Sequence, residues 1–443
     1  MRLVALALLV TVGLAFRGAP EPARAQSTRA PRTPIQHFLV LLQQGRSFDH
    51  YFGTYPGADG TPSDTCLPVD LANPSTDCAR PRALGPSVVT AMPHDGKVLL
   101  AQHRGGRMDG FVDATRRQGD DNRQAMGFYD GRDLPYYWGL AHEFVLFDQF
   151  FASSMNGGVA NRLTSMTGVA TGIEDVPSSG LPSTLPTIFE RLSQAGTSWK
   201  VYVEGYDSSV HYRTMSSAPR GLRGQVAALP LLGLERFVTD PGLSSHMVDL
   251  SEYAVDLENG SLPSVAYLIP TFSSEEAPAS PRAGEALTRH LVTTLQRSRY
   301  WESSALLLTY DGSGGWFDHV PPAESDGARL GFRVPALLVS PFARRGAVDH
   351  TVLEHASILR FIEDNWGLQP LATRDANAGG IRAAFDFNAP ARAPRFVDGE
   401  RAPSEPASSP RVTLLGYGLT AAVALMIVGW GLGRGARVEA LNA

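Results

Sequence analysis

Five stretches of this chain are apolar without any alternation. They are Phe38–Leu42, Trp199–Val203, Val265–Ile269, Ala305–Leu308 and Val334–Val339, the second and third less pure than the others. A strand with one wet face alternates apolar and polar residues; a strand covered on both faces does not. The runs therefore predict a mostly parallel sheet buried between two layers. Between them lie segments with helical spacing: 284–299, with Leu287, Leu291 and Leu295 in phase, and also 187–194 and 352–365. Strands alternating with helices give an α/β fold, an α/β/α sandwich with a mostly parallel central sheet. In such a sheet the loops beyond the carboxyl ends of the strands build the site.

The two ends read differently from this body. Residues 1–25 have a charged start, an apolar run from Leu3 to Phe16 and the small-x-small stretch Ala23-Arg24-Ala25, the layout of a signal peptide; an uncleaved anchor helix is the alternative. Val412 to Gly433 carries no charged residue and has the length of a transmembrane helix, with a buried core helix as the alternative. Arg434 and Arg437 follow it, which places the tail 434–443 in the cytoplasm. Residues 388–411 hold Pro390, Pro394, Pro403, Pro406 and Pro410 and read as a Pro-rich linker. The expectation is one domain over 33–387, outside the cytoplasm, on a single-pass cell-membrane anchor. Its partners would be the membrane, and beyond it a phosphate ester or a membrane protein.

The net charge of -5 leaves no basic stripe and argues against nucleic acid. The two cysteines, Cys66 and Cys78, stand close together in a loop-rich section, 61–133, that reads as a cap. In an exported chain they are expected to form a disulfide; a redox or metal role would need further ligands nearby.

Two of the strands run straight into loops that look built for chemistry. Gln43-Gln44-Gly45-Arg46-Ser47-Phe48-Asp49-His50 follows the first, and Tyr310-Asp311-Gly312-Ser313-Gly314-Gly315-Trp316-Phe317-Asp318-His319 follows another. Phosphate-ester hydrolysis needs a cation or cationic cluster on the phosphoryl oxygens, an in-line nucleophile and a proton donor for the leaving oxygen. Metal sites of this kind are built chiefly from Asp and Glu oxygens.

The chain resembles the bacterial phosphoesterase family of non-haemolytic phospholipases C and acid phosphatases, within the alkaline-phosphatase-like superfamily. Arg46-Ser47-Phe48-Asp49-His50, Gly105-Gly106-Arg107-Met108-Asp109-Gly110-Phe111, Asn161-Arg162 and the segment Asp349 to Leu359 carry the resemblance. It implies metal ligands at the places of Gln44 and Gly45, a hydroxyl nucleophile at Gly158, a histidine at Glu276 and an acidic metal ligand at Gly312 beside Asp311. His94 and His355 match histidine positions of the family. Ser153 and Ser154 lie near the nucleophile place but out of register. So the framework motifs persist while Gln44, Gly45, Gly158, Glu276 and Gly312 depart from the family's chemistry.

Two readings follow. In one, the chain is a degenerate member, weak or inactive, that binds or scaffolds and needs no cofactor. In the other, it hydrolyses phosphate esters through a rearranged site of His94, Asp311 and His355, with a divalent metal on Asp311 and Gln44; the bland alternative is that these are buried polar residues. The selective pattern of substitution favours the first, since losing a nucleophile removes the covalent route, and removing members of a catalytic unit costs on the order of 10⁶ in rate.

Overall fold

The computed structural model describes residues 29–75, 77–85, 89–117 and 122–399. The expected signal peptide, transmembrane helix and cytoplasmic tail lie outside these residues. No helix among the described residues is long and apolar enough to cross a membrane.

An eight-stranded sheet forms the centre. In chain order its strands are β1 (His37–Gln43), β2 (Val145–Phe147), β3 (Trp199–Val203), β4 (Met247–Asp249), β5 (Val265–Ile269), β6 (Ser304–Tyr310), β7 (Ala336–Val339) and β8 (Ala347–Asp349). The spatial order is β8-β2-β7-β6-β1-β5-β3-β4. Only β7 runs against the others: it pairs antiparallel with β6 and β2, and every other pairing is parallel. The apolar runs thus predict β1, β3, β5 and β6 as parallel strands, while the run at Val334–Val339 contributes the single reversed one. Burial on both faces, which is what unbroken apolarity reports, does not encode strand direction.

Three short strands, β2, β4 and β8, have three residues each and leave too little pattern to read.

Helices pack around the sheet. They include α1 (Phe48–Phe52), α2 (Gly96–His103), α3 (Pro135–Glu143), α4 (Gly158–Thr167), α5 (Pro281–Arg297) and α6 (Ala356–Trp366). Proline at the first position of α5 costs no hydrogen bond there, and the Ser280 hydroxyl accepts from the Arg282 amide. One face of α5 buries Leu291, Val292 and Leu295.

The cap section holds two short two-stranded pairings along with α2 and a helix at Phe111–Arg117. Cys66 and Cys78 are joined there with Cα atoms 5.5 Å apart. Closing so short a loop contributes about 3 kcal/mol in the chain-entropy model.

The packed body runs further than the sequence suggests. Parts of 388–399, expected to belong to the linker, touch the domain at Arg392, Arg395 and Val397. The Trp301 indole donates to the Arg392 carbonyl (2.8 Å), the Gln296 amide donates to the Arg395 carbonyl (3.0 Å), and Val397 packs over Gly139. The body supplies hydrogen-bond partners for this segment that composition alone cannot reveal.

Candidate functional site

A cavity of about 460 Å³ opens beyond the carboxyl ends of β1, β5 and β6. The loop after β1 brings Gln44 and Gly45, and the loop after β6 brings Asp311 to Gly314. The start of α4 contributes Gly158, the segment after β5 contributes Thr271 and Glu276, and the approach to α2 contributes His94 and Asp95. Seven of the positions singled out from sequence (Gln44, Gly45, His94, Gly158, Glu276, Asp311 and Gly312) therefore line one space.

His355 lies behind that space, fully buried. Its Nδ1 accepts from the Ser153 amide at 3.2 Å, and its Nε2 donates to the Tyr310 carbonyl at 2.9 Å. Burial pushes its pKa down to about 4, so it stays neutral. Ser153 is buried beside it, whereas Ser154 lines the cavity, its hydroxyl donating to Asn161 Oδ1.

The two motif loops touch at glycines. Gly45 and Gly314 both have positive φ, and a Cβ on Gly314 would fall 2.2 Å from the Gly45 carbonyl oxygen. Only a residue without a side chain permits that approach.

Asp311 is the retained carboxylate, and its oxygens are taken. Oδ1 accepts from the Gly45 amide (3.1 Å) and Oδ2 from Arg162 Nε (2.7 Å). Arg162 is 1% exposed and spends its remaining donors on the carbonyls of Ala228, Leu42 and Gln43. Asn161 donates to the Asp311 carbonyl (2.8 Å), so the Asn-Arg pair at the start of α4 clamps this residue from two sides. Burial raises the Asp311 pKa, Arg162 opposes that, and the nearby Glu276 charge adds to it.

Across the cavity His94 Nε2 meets Glu276 Oε1 at 2.9 Å, while His94 Nδ1 donates to the Met92 carbonyl. The hydrogen bond to Glu276, with the Glu276 charge, lifts the His94 pKa to about 9 against the effect of burial. Burial alone would raise Glu276, but His94 outweighs it and the carboxyl titrates below the usual glutamate value. The pair is an imidazolium and a carboxylate at neutral pH. Glu204 fixes the arm that carries Glu276: its Oε2 accepts from the amides of Thr271, Phe272 and Ser273 at 2.9–3.0 Å.

The three glycines are not equivalent. A Cβ on Gly158 would fall 2.8 Å from Asp311 Oδ2, and one on Gly45 3.1 Å from Glu276 Cγ. Gly312 has only Asn161 Nδ2 near, at 3.9 Å.

Asp49, Asp318 and His319 form a second group, with ligand atoms all within 4.8 Å of one another, a spacing that could hold a metal ion. They lie outside the cavity lining. Arg333, fully buried, occupies their centre of charge. It donates to Asp318 Oδ1 at 2.9 Å and to Asp49 Oδ1 at 3.0 Å, and to the carbonyls of Asp59 and Asp148. His319 donates to Asp49 Oδ2 at 2.7 Å.

Sequence reasoning missed three features. Arg162 serves there only as a register mark; its pairing with Asp311 joins residues 149 apart in the chain. Glu275, next to Glu276, sits fully buried in a cage of Tyr51, Tyr137 and Tyr310 hydroxyls, and burial lifts its pKa to about 7. Ser313 lines the cavity, is 3% exposed, and its hydroxyl has no partner among the described residues. Only Arg162 had a sequence signal, its place beside Asn161 at a helix start.

The Phosphoesterase family model matches residues 35–369. Phospholipase C B of Mycobacterium tuberculosis is 31% identical over 429 residues, covering 81% of this chain and 79% of that protein. Non-hemolytic phospholipase C of Pseudomonas aeruginosa is 28% identical over 421 residues, covering 81% of this chain and 58% of that one. Among solved structures, a protein in the alkaline phosphatase superfamily from Vibrio parahaemolyticus superposes with a TM-score of 0.37 at 12% identity, covering 78% of this chain and 71% of that chain. The lipoteichoic acid synthase LtaP from Listeria monocytogenes gives 0.41 at 10% identity, covering 77% and 76%.

Proposed function

The chain belongs to the Phosphoesterase family, and from that premise we propose that it is a member that binds a small ligand in the cavity without hydrolysing it. One observation carries this reading. The places where the resemblance implies a metal ligand, a nucleophile and an acidic ligand are glycines 45, 158 and 312, and all three line the same cavity. The divalent cation that the resemblance implies does not fit what stands there. Asp311 has both oxygens engaged, Glu276 is neutralised by His94, and Gln44 offers one amide oxygen. Divalent cations of this kind require several hard oxygen donors converging on one point. The Asp49–Asp318–His319 group has the spacing, but Arg333 already balances its charge.

Attack on phosphorus also lacks its parts. No hydroxyl stands at Gly158, and an added one would displace Asp311. His94, protonated at neutral pH, is no general base.

A second reading is slow hydrolysis of a phosphate ester, the class of reaction the relatives' names denote. Ser313 supports it, because it lines the cavity with Asp311 and its buried hydroxyl has no partner among the described residues. Localisation enters as a proposal too. The disulfide suits an oxidising compartment, and the uncharged stretch 412–433 suits a single-pass anchor with the body outside the cytoplasm.

The deciding experiment is metal content by mass spectrometry together with turnover of chromogenic phosphate mono- and diesters. The binding reading expects less than one metal per ten chains and no turnover above buffer. Stoichiometric metal with turnover that Asp311→Asn abolishes would reject it.

A further inference from the structure

We propose that Glu275 is the positioning residue of the cavity wall: seated among three tyrosine hydroxyls, its carboxyl holds residue 275 in a left-handed turn that throws Glu276 across the cavity onto His94. This rests on the reading of the cavity as a ligand site only for what the wall serves, because the bridge is read without any ligand.

Two adjacent glutamates face opposite ways. Glu276 lines the cavity with its side chain 37% exposed, whereas Glu275 is fully buried. The turn between them is residue 275 itself, whose φ is 69°. A residue with a side chain adopts that conformation at a cost, and it persists where the surroundings over-determine it.

The surroundings do so from several elements. Tyr51 of α1 and Tyr310 of β6 donate to Glu275 Oε2 at 2.7 and 2.9 Å, and Tyr137 of α3 donates to Oε1. Gly284 of α5 leaves room for the seat: a Cβ there would fall 2.0 Å from Glu275 Cγ. Arg46, fully buried in the loop after β1, donates to the carbonyls of Glu275 and Ala279. One residue upstream, the Ser274 carbonyl accepts from the Gln44 amide at 3.0 Å.

What the turn sets is the charge on the cavity's histidine. His94 Nε2 lies 2.9 Å from Glu276 Oε1, and that hydrogen bond is the largest support of its proton. With Glu276 swung away, the ring falls back toward the ordinary histidine range and is mostly neutral above pH 7. Glu275 acts on His94 through Glu276.

The cage also says which change preserves the turn. The Tyr137 hydroxyl lies 3.0 Å from Thr288 Oγ1 as well, so it can donate there and accept from residue 275. Glu275→Gln therefore keeps the seat: its amide oxygen accepts from Tyr51 and Tyr310, and its amide nitrogen donates to Tyr137. Glu275→Ala keeps none of this.

The test is an NMR titration of the His94 ring in the full chain, with Glu276 present throughout and native tryptophan fluorescence confirming each fold. His94 is expected to titrate near 9 in the parent chain and in Glu275→Gln, but below about 8 in Glu275→Ala. Gly284→Ala, which leaves Glu275 chemically intact and fills its seat, is expected to lower His94 in the same way. A purely structural role would lower Tm in these variants and leave His94 where it is. A His94 that stays near 9 in Glu275→Ala or Gly284→Ala, or that falls as far in Glu275→Gln as in Glu275→Ala, would overturn the inference. Should Glu275→Ala fail to fold, Gly284→Ala and Glu275→Gln decide it between them. Phosphodiester turnover on the parent chain separates the two claims: turnover sinks the non-hydrolytic reading alone, and an unmoved His94 sinks the positioning role alone.

Discussion

Replacing Arg162 with methionine tests whether the site is held by an internal cation. The guanidinium is 1% exposed and makes bonds to Asp311 (2.7 Å) and to the carbonyls of Ala228 (2.7 Å), Leu42 (3.2 Å) and Gln43 (3.3 Å). Methionine fills much of the volume but returns none of these. Removing one partner of a buried ion pair costs about 3–5 kcal/mol, because the other charge is left uncompensated. A body of this size loses roughly 1.3 °C of Tm per kcal/mol, so the variant should melt about 4–6 °C lower. The stranded Asp311 should hold its proton to a higher pH in the folded state than in the unfolded one. Its folded pKa is then above the unfolded value near 3.9, so the penalty grows as pH rises past about 4. Adding Asp311→Asn removes the stranded charge while leaving an oxygen for the Gly45 amide, and should recover about half the loss. Urea unfolding followed by tryptophan fluorescence, at pH 5 and pH 8, measures all three chains. A loss below about 1 kcal/mol for Arg162→Met, or no recovery in the double variant, would refute the claim that this pair is what organises the floor of the cavity.

The glycines should separate in the same assay. Gly158→Ala drives a Cβ to within 2.8 Å of Asp311 Oδ2 and should cost about 1–3 kcal/mol, whereas Gly312→Ala meets open space and should be neutral or stabilising by up to about 1 kcal/mol. Glu275, with a folded pKa of about 7, binds its proton more tightly folded than unfolded. Its contribution is therefore greatest below about 4.5 and declines as pH rises toward 7, and Glu275→Gln should remove a component on the order of 3 kcal/mol across that window, read as the difference between two stability-against-pH curves. For His94, an NMR titration should show a pKa near 9, falling toward 6.5 in Glu276→Gln. The stabilisation from this pair is present below about 6.5 and lost as pH rises through about 9; with both side chains more than a third exposed it should stay under about 1 kcal/mol.

The sequence by itself determined the mostly parallel α/β sheet and the loops that line the cavity. Unbroken apolarity over residues such as Phe38–Leu42 and Ala305–Leu308 is a local record of burial on both faces, and burial is what makes a parallel sheet. The loops that follow those runs had to stand at the carboxyl end of that sheet, which is why Gln44, Gly45, Asp311 and Gly312 meet in one cavity. Strand direction at β7 and the short strands β2, β4 and β8 were beyond a local pattern, as was the packing of 388–399. Only the tertiary structure decided which charges neutralise which. Arg162 finds Asp311, His94 finds Glu276, and Arg333 finds Asp49 and Asp318 across separations of 15 to 284 residues. Coulombic partnership depends on distance in space and on the exclusion of water, and neither quantity exists until the chain has folded.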